Sequence, residues 1–221
     1  MPTTTAPDFQ GPVKQLPRLD DAPGTILELM VLAADGQYCA GVDLASGALV
    51  RAWAPEPVHE PLRTYDTVDV TLDATIDCVP DPSDPEGLPL VGAPVATGRL
   101  TGRRAERLLR PLLHPKREPL LGTHAPAVPF WQRRADRPSI ALVEPHSPVM
   151  LLRQWPYLAC RFLWRDTVLE LPCLDRRLAA SMDRAGRTRM AGERGERIVV
   201  ALNPPIDGHC HKVVEAVLAR P

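Results

Sequence analysis

The sequence predicts a mainly β protein with a few short helices, built as two small barrels in tandem. Three observations carry this. Most apolar residues fall in short runs bounded by Gly, Pro, Asp or Asn, the signature of strands between turns. Only two stretches show clear helical spacing. Each half of the chain offers the same inventory, several short strands and one short helix. With 221 residues the chain can bury a sizeable core.

Residues 1–24 hold five prolines and little periodicity, and read as a disordered N-terminal tail. Residues 25–100 form the first predicted barrel. Its opening run, 26–33 (ILELMVLA), is flanked by Pro-Gly and Asp-Gly, which favours a buried strand over a helix. Runs 38–42 and 48–53, around the turn Ala45-Ser46-Gly47, read as a hairpin. Residues 67–76 alternate Val68, Val70 and Leu72 with Asp69, Thr71 and Asp73, the period of a half-exposed strand. Residues 78–94 read as a long loop, and 95–100 as a further strand.

Residues 101–138 read as an arginine-rich helix and a Pro-rich connector. Thr101 can start a helix with Ala105, Leu108, Leu109, Leu112 and Leu113 on one face, which Pro111 should kink or end. Residues 139–221 form the second predicted barrel. Strands are expected at 139–143 and 149–153, then a hairpin of 157–164 and 167–171 around Arg165-Asp166. Asp175 can cap a helix carrying Leu178, Ala179, Met182 and Ala185, stopped by Gly186. Runs 198–202 and 212–218 close the chain; the last fits a strand or a helix face.

Net charge is −1, but the halves differ. Residues 1–100 carry 5 basic and 15 acidic side chains, and residues 101–221 carry 21 and 12. Such asymmetry points to two functionally different halves or to halves that attract one another. Five widely spaced cysteines (Cys39, Cys78, Cys160, Cys173, Cys210) form no C-x-x-C pair, which argues against a zinc ribbon or a disulfide framework and for a reducing, cytoplasmic location. The N-terminal residues lack the basic and apolar regions of a secretory signal, and no apolar run approaches the roughly 18 residues of a membrane span.

Residues 26–53 (ILELMVLAADGQYCAGVDLASGALVRAW) resemble the opening of the dual OB-containing (DuOB) domain family of prokaryotes. There an apolar strand leads to a Gly-x-x-Cys-x-Gly turn and a strand ending in Val/Ile-Arg; Gly36, Cys39, Ala40, Gly41, Gly47, Val50 and Arg51 hold those places. The close, residues 198–218, is similar through Cys210, Lys212, Val213 and Val214. Residues 171–175 match more loosely, with Leu174 where the family has Thr. The resemblance implies two OB folds in tandem and nucleic-acid binding rather than a defined reaction, in defence-type bacterial systems.

Arg51 and Trp53 lie two apart on one strand and share a face, where a guanidinium beside an indole could pair with phosphate and stack a base. The bland alternative is local packing. In the strand from Tyr157, Leu158, Cys160, Phe162 and Trp164 share the core face, while Tyr157, Arg161 and Arg165 share the other, a pattern suited to a single-stranded backbone or merely to solvent. Arg103, Arg104 and Arg107 lie on the polar side of the predicted helix and could neutralise phosphates. Asp207, His209 and His211 alternate beside Lys212 and could hold a divalent metal, though a hairpin end is the simpler reading.

No nucleophile elbow, phosphate-binding loop, dinucleotide fingerprint or H-E-x-x-H motif is present. The residues therefore read as those of a non-enzymatic, cytoplasmic protein without a cofactor, expected to bind nucleic acid, single-stranded DNA or RNA, through Arg51, Trp53, Arg103, Arg104, Arg107, Tyr157, Arg161, Arg165 and Lys212. Two alternatives stand beside this: an accessory module that docks a protein partner from the same operon, and a metal-dependent hydrolase at Asp207, His209 and His211. No membrane partner is expected.

Overall fold

The computed structural model describes residues 25–55, 61–73, 81, 84–134, 136–154 and 156–221, and across these the chain is mainly β with two helices and two sheets. The predicted N-terminal tail lies outside the described residues, as does most of 74–83.

The first sheet holds β1 (Ile26–Asp35), β2 (Tyr38–Asp43), β3 (Leu49–Trp53), β4 (Asp66–Thr71), β5 (Gly87–Pro89) and β6 (Val95–Arg99), in the order β5-β3-β2-β1-β4-β6. The predicted hairpin is β2–β3, and Gly47 at its turn has φ +72°, which glycine adopts at no steric cost. Gly41 answers a different need: a Cβ there would lie 2.7 Å from the Met30 carbonyl oxygen of β1. All pairings are antiparallel except β3 with β5. One isolated bridge, Leu72 to Leu90, links the ends of β4 and β5.

Between the sheets run α1 (Gly102–Leu109) and β7 (Ala127–Pro129). Pro111 stands in a single 3-10 turn, Arg110–Leu112, that ends α1, as its missing N–H requires. The second sheet holds β8 (Ile140–Val143), β9 (Met150–Gln154), β10 (Tyr157–Trp164), β11 (Thr167–Cys173), β12 (Arg189–Ala191), β13 (Arg197–Leu202) and β14 (His209–Leu218). Their order is β12-β9-β10-β11-β14-β13-β8, with β7 attached to β14. Helix α2 (Arg176–Arg184) follows β11, and the Asp175 side chain caps it by accepting from the N–H groups of Arg177 and Leu178.

Two expectations are corrected and one open alternative is decided. Neither sheet is a closed barrel: each strand order is an open path among the described residues. The predicted loop 78–94 contains β5, the connector contains β7, and β12 was not anticipated; each is three residues long, too short to show a period. The last run is a strand, because β13 and β11 flank it on both sides.

Three core layers follow. Leu27, Leu29 and Val31 enter the first sheet's own core, and Cys160, Phe162, Trp164, Val200 and Val214 that of the second. A third layer joins the sheets, with Met30, Leu32 and Val42 from one side, Leu142, Val199, Ala201 and Leu218 from the other, and Ala105 and Leu109 of α1. Strands β1 and β13 are thus buried on both faces, which explains their unbroken apolar runs. Cys39, Cys160, Cys173 and Cys210 are all buried and reduced, and burial pushes the thiols of Cys39 and Cys173 up to about 12.

Candidate nucleic-acid interface

Where the two sheets meet, the register of β13 against β14 slips: Val199 faces Ala216 and Val200 faces Val214, so Glu215 is the extra residue of a β-bulge. The bulge turns its carboxylate toward the first sheet. There Nη2 of Arg51 on β3 donates to Glu215 at 2.9 Å, Nη1 donates to Asp84 at 2.9 Å and to the Leu202 carbonyl at 3.3 Å, and Nε donates to the Tyr38 hydroxyl at 3.3 Å. The Tyr38 hydroxyl in turn donates to Glu215. The guanidinium lies 5.4 Å from the Tyr38 ring centre and 5.9 Å from that of Trp53, and those rings pack at 4.8 Å.

Burial alone would lower the Arg51 pKa, but Tyr38, Glu215 and Asp84 around it outweigh that and keep the guanidinium charged. Burial also raises the Glu215 carboxyl, against the pull of Arg51. The cross-sheet pair runs against the overall charge split, with its base from the acidic half and its acid from the basic half.

Above this cluster opens a cavity of about 460 Å³, walled by Tyr38, Trp53, Leu62 and Thr64 on one side and by Leu174, Arg177, Asn203 and Val213 on the other. It shares Pro61, Thr64 and Arg177 with an adjoining cleft lined by Arg63 and Arg99. Among the described residues that cleft is lined by three arginines and no acid, and Arg99 pairs with Asp66 at 3.4 Å. An ion pair of 3.0 Å between Arg176 and Asp35 joins the two halves beside the cavity.

The residues singled out from the sequence fall in four places. Arg51 and Trp53 share a face as expected, but Arg51 is 4% exposed and donates from every guanidinium nitrogen, so it belongs to the floor of the cavity and does not present itself to a polyanion. Trp53 is 40% exposed and donates its indole N–H to Asp84 at 3.1 Å. Lys212 corrects the expectation outright: it is 2% exposed, its Nζ donates to the Thr123 carbonyl at 2.6 Å, and burial lowers its pKa to about 8.

Arg103, Arg104 and Arg107 are exposed on α1. Tyr157 and Arg161 are exposed on β10, and Arg165 occupies the hairpin turn with φ +55°. None of these lines the cavity or the cleft. Arg161 donates from Nε to Glu170 of the neighbouring strand at 2.8 Å, so its charge is answered within its own hairpin.

Asp207, His209 and His211 do not converge. Asp207 and Gly208 both have positive φ and make a tight hairpin turn between Ile206 and His209, which breaks the alternation. His209 packs its ring edge-on to Trp131 at 5.7 Å. Among the described residues no group of three or more His, Cys, Asp or Glu side chains is placed to hold a metal, and no helix is long and apolar enough to cross a membrane.

The sequence reading missed Tyr38, Asp84, Glu215 and Arg63. Glu215 had a usable signal: a lone charge inside Val213-Val214-Glu215-Ala216-Val217, where an apolar residue would be expected. Set against family models and curated proteins, the sequence matches none of them.

Proposed function

We propose that this chain is a non-enzymatic binder of single-stranded nucleic acid, a double OB-type protein like the DuOB family that it resembles, acting in the cytoplasm of a prokaryote. The observation that carries this reading is the inter-sheet cleft, where Arg63, Arg99 and Arg177 come together, Arg99 paired with Asp66 at 3.4 Å, next to the cavity walled by the half-exposed Trp53. Guanidinium groups next to an aromatic face suit a phosphodiester backbone with unstacked bases. The exposed arginines of α1 would extend the electrostatic footprint.

The OB-type architecture is supported by strand order. In the second sheet a three-strand meander, β9-β10-β11, pairs through its third strand in parallel with β14, which pairs with β13, which returns to β8 just ahead of β9. The first sheet follows the same path through β1-β2-β3, β5 and β4, with the Leu72–Leu90 bridge joining the last two. That path is the one a five-stranded, partly open Greek-key barrel takes.

The test is binding of labelled single-stranded DNA and RNA by fluorescence anisotropy across a salt series. If the three cleft arginines each neutralise one phosphate, they contribute a slope of about −2 in log affinity against log salt. The charge reversals Arg63→Glu and Arg177→Glu should flatten it. No binding at low salt, or affinity indifferent to salt, overturns the proposal.

A second reading, docking of a partner protein, is favoured by a separate surface. Trp131, 70% exposed, stands over the turn at Gly208 beside Phe130, Ile206 and His209. An apolar aromatic patch of this kind suits a protein interface. Trp131→Ala should abolish capture of such a partner and leave oligonucleotide affinity unchanged.

A further inference from the structure

We infer that the cavity between the sheets is a blind pocket for a single nucleotide, so that the chain grips a strand end or a free nucleotide rather than the interior of a strand. This narrows the nucleic-acid reading and rests on it for the oligonucleotide case alone.

The cavity's size, about 460 Å³, falls in the range of sites that enclose one small ligand. Its floor is closed. Among the described residues Leu32, Arg51, Ala216 and Glu215 form it and are between 0 and 9% exposed, so a ligand enters from the mouth and not through the floor. The floor also rejects phosphate: every nitrogen of Arg51 already donates to Tyr38, Asp84, Leu202 or Glu215, and two carboxylates stand beside it.

The polarity of a bound nucleotide follows from this. A planar base is suited to the inner chamber, against the Trp53 and Tyr38 rings on one wall and Leu174 and Val213 on the other. Asn203 uses its side-chain oxygen to accept from the His211 N–H, which leaves its amide nitrogen for a base carbonyl. The phosphates then point outward. Arg177 belongs to both the cavity and the adjoining cleft, where Arg63, Arg99 and the Thr64 hydroxyl also stand. Among the described residues the Arg177 and Arg63 side chains form no ion pair with a carboxylate, while Arg99 pairs with Asp66 at 3.4 Å.

A strand end and a nucleoside polyphosphate offer this site the same chemistry, one accessible base with anionic groups on one side. A competition experiment on the full chain separates them. A labelled linear oligonucleotide is displaced by nucleoside triphosphates, by the unlabelled linear strand, or by the same strand closed into a circle. The expected result is competition by the first two, with the circle weaker by about tenfold or more, the loss of one stacked base.

Arg177→Glu should lower nucleoside triphosphate affinity by about tenfold, the scale of one charge-assisted hydrogen bond. Leu174→Glu adds a repelling charge at a half-exposed position of the wall and should act in the same direction with an unchanged melting temperature. A circle that competes as well as the linear strand overturns the pocket and leaves the nucleic-acid reading intact. Triphosphates that bind while no oligonucleotide does overturn the nucleic-acid reading and support the pocket. Binding of neither overturns both.

Discussion

In the first sheet β3 pairs in parallel with β5, and β4 returns to β1; in the second the same pairings recur as β11 with β14 and β13 with β8. The interiors differ. Among the described residues the first sheet's own core holds leucine, valine, alanine and one cysteine, with no aromatic ring. The second encloses Phe162, Trp164 and Met182, with Leu178 and Ala179 of α2 packed against them. Large side chains bury more apolar surface per residue, so the second sheet is the better insulated of the two. The first compensates through the layer it shares with its neighbour and through Arg51, whose charge is answered by Glu215 across the seam and by Asp84 of its own half. One path of the chain thus supports two differently filled interiors, each dependent on the layer between them.

Removing Arg51 strikes at that dependence and should have the largest effect. Arg51→Met leaves the Glu215 and Asp84 carboxylates without their counter-charge and should cost about 3–5 kcal/mol in urea unfolding. Adding Glu215→Met in the same chain should recover much of the loss, since a buried pair replaced by apolar side chains is often neutral. A double variant no better than the single would show that Asp84 alone carries the interaction.

Core truncations sharpen the contrast between the interiors. Phe162→Ala in the second sheet should cost about 3–5 kcal/mol, against about 2 kcal/mol for Val68→Ala in the first. Equal losses would mean that the two interiors are packed to the same effect.

Lys212 gives the smallest change and one with a pH signature. Its folded pKa, about 8, lies below the ordinary lysine value of 10.5. The unfolded chain therefore binds the proton more readily, and a penalty on folding is fully present below about pH 8. It fades by about 1.4 kcal/mol per pH unit as pH rises toward the ordinary lysine range. Lys212→Met should accordingly be more stable than the parent at neutral pH by about 1–2 kcal/mol, after the lost bond to Thr123 is counted, and the advantage should shrink on going alkaline. An advantage independent of pH would assign the gain to packing.

The long strands were readable in advance because their sequences carry period and punctuation. β10 alternates Leu158, Cys160, Phe162 and Trp164 inward, and the Asp175 cap of α2 and the Gly47 turn were visible as residue chemistry. β5, β7 and β12 were not, since three residues held by a partner strand leave no pattern of their own. The candidate site was half readable. Arg51 and Trp53 do share a face, but reading a charge as exposed failed for Arg51 and Lys212, whose strands are covered on both sides, and Glu215 went unread for the same reason. Arg63, Arg99 and Arg177 come from a loop, an edge strand and a helix start, a convergence only the fold creates.

Strands that are covered front and back tie the fate of each half to the other. Were the chain cut in the 101–138 segment, the two pieces would each face water with Met30 and Leu32, or with Leu142 and Leu218, laid bare. They should cling together as a non-covalent pair and melt in one step, so shuffling a half from one such protein into another would demand a matched seam as well as a matched fold.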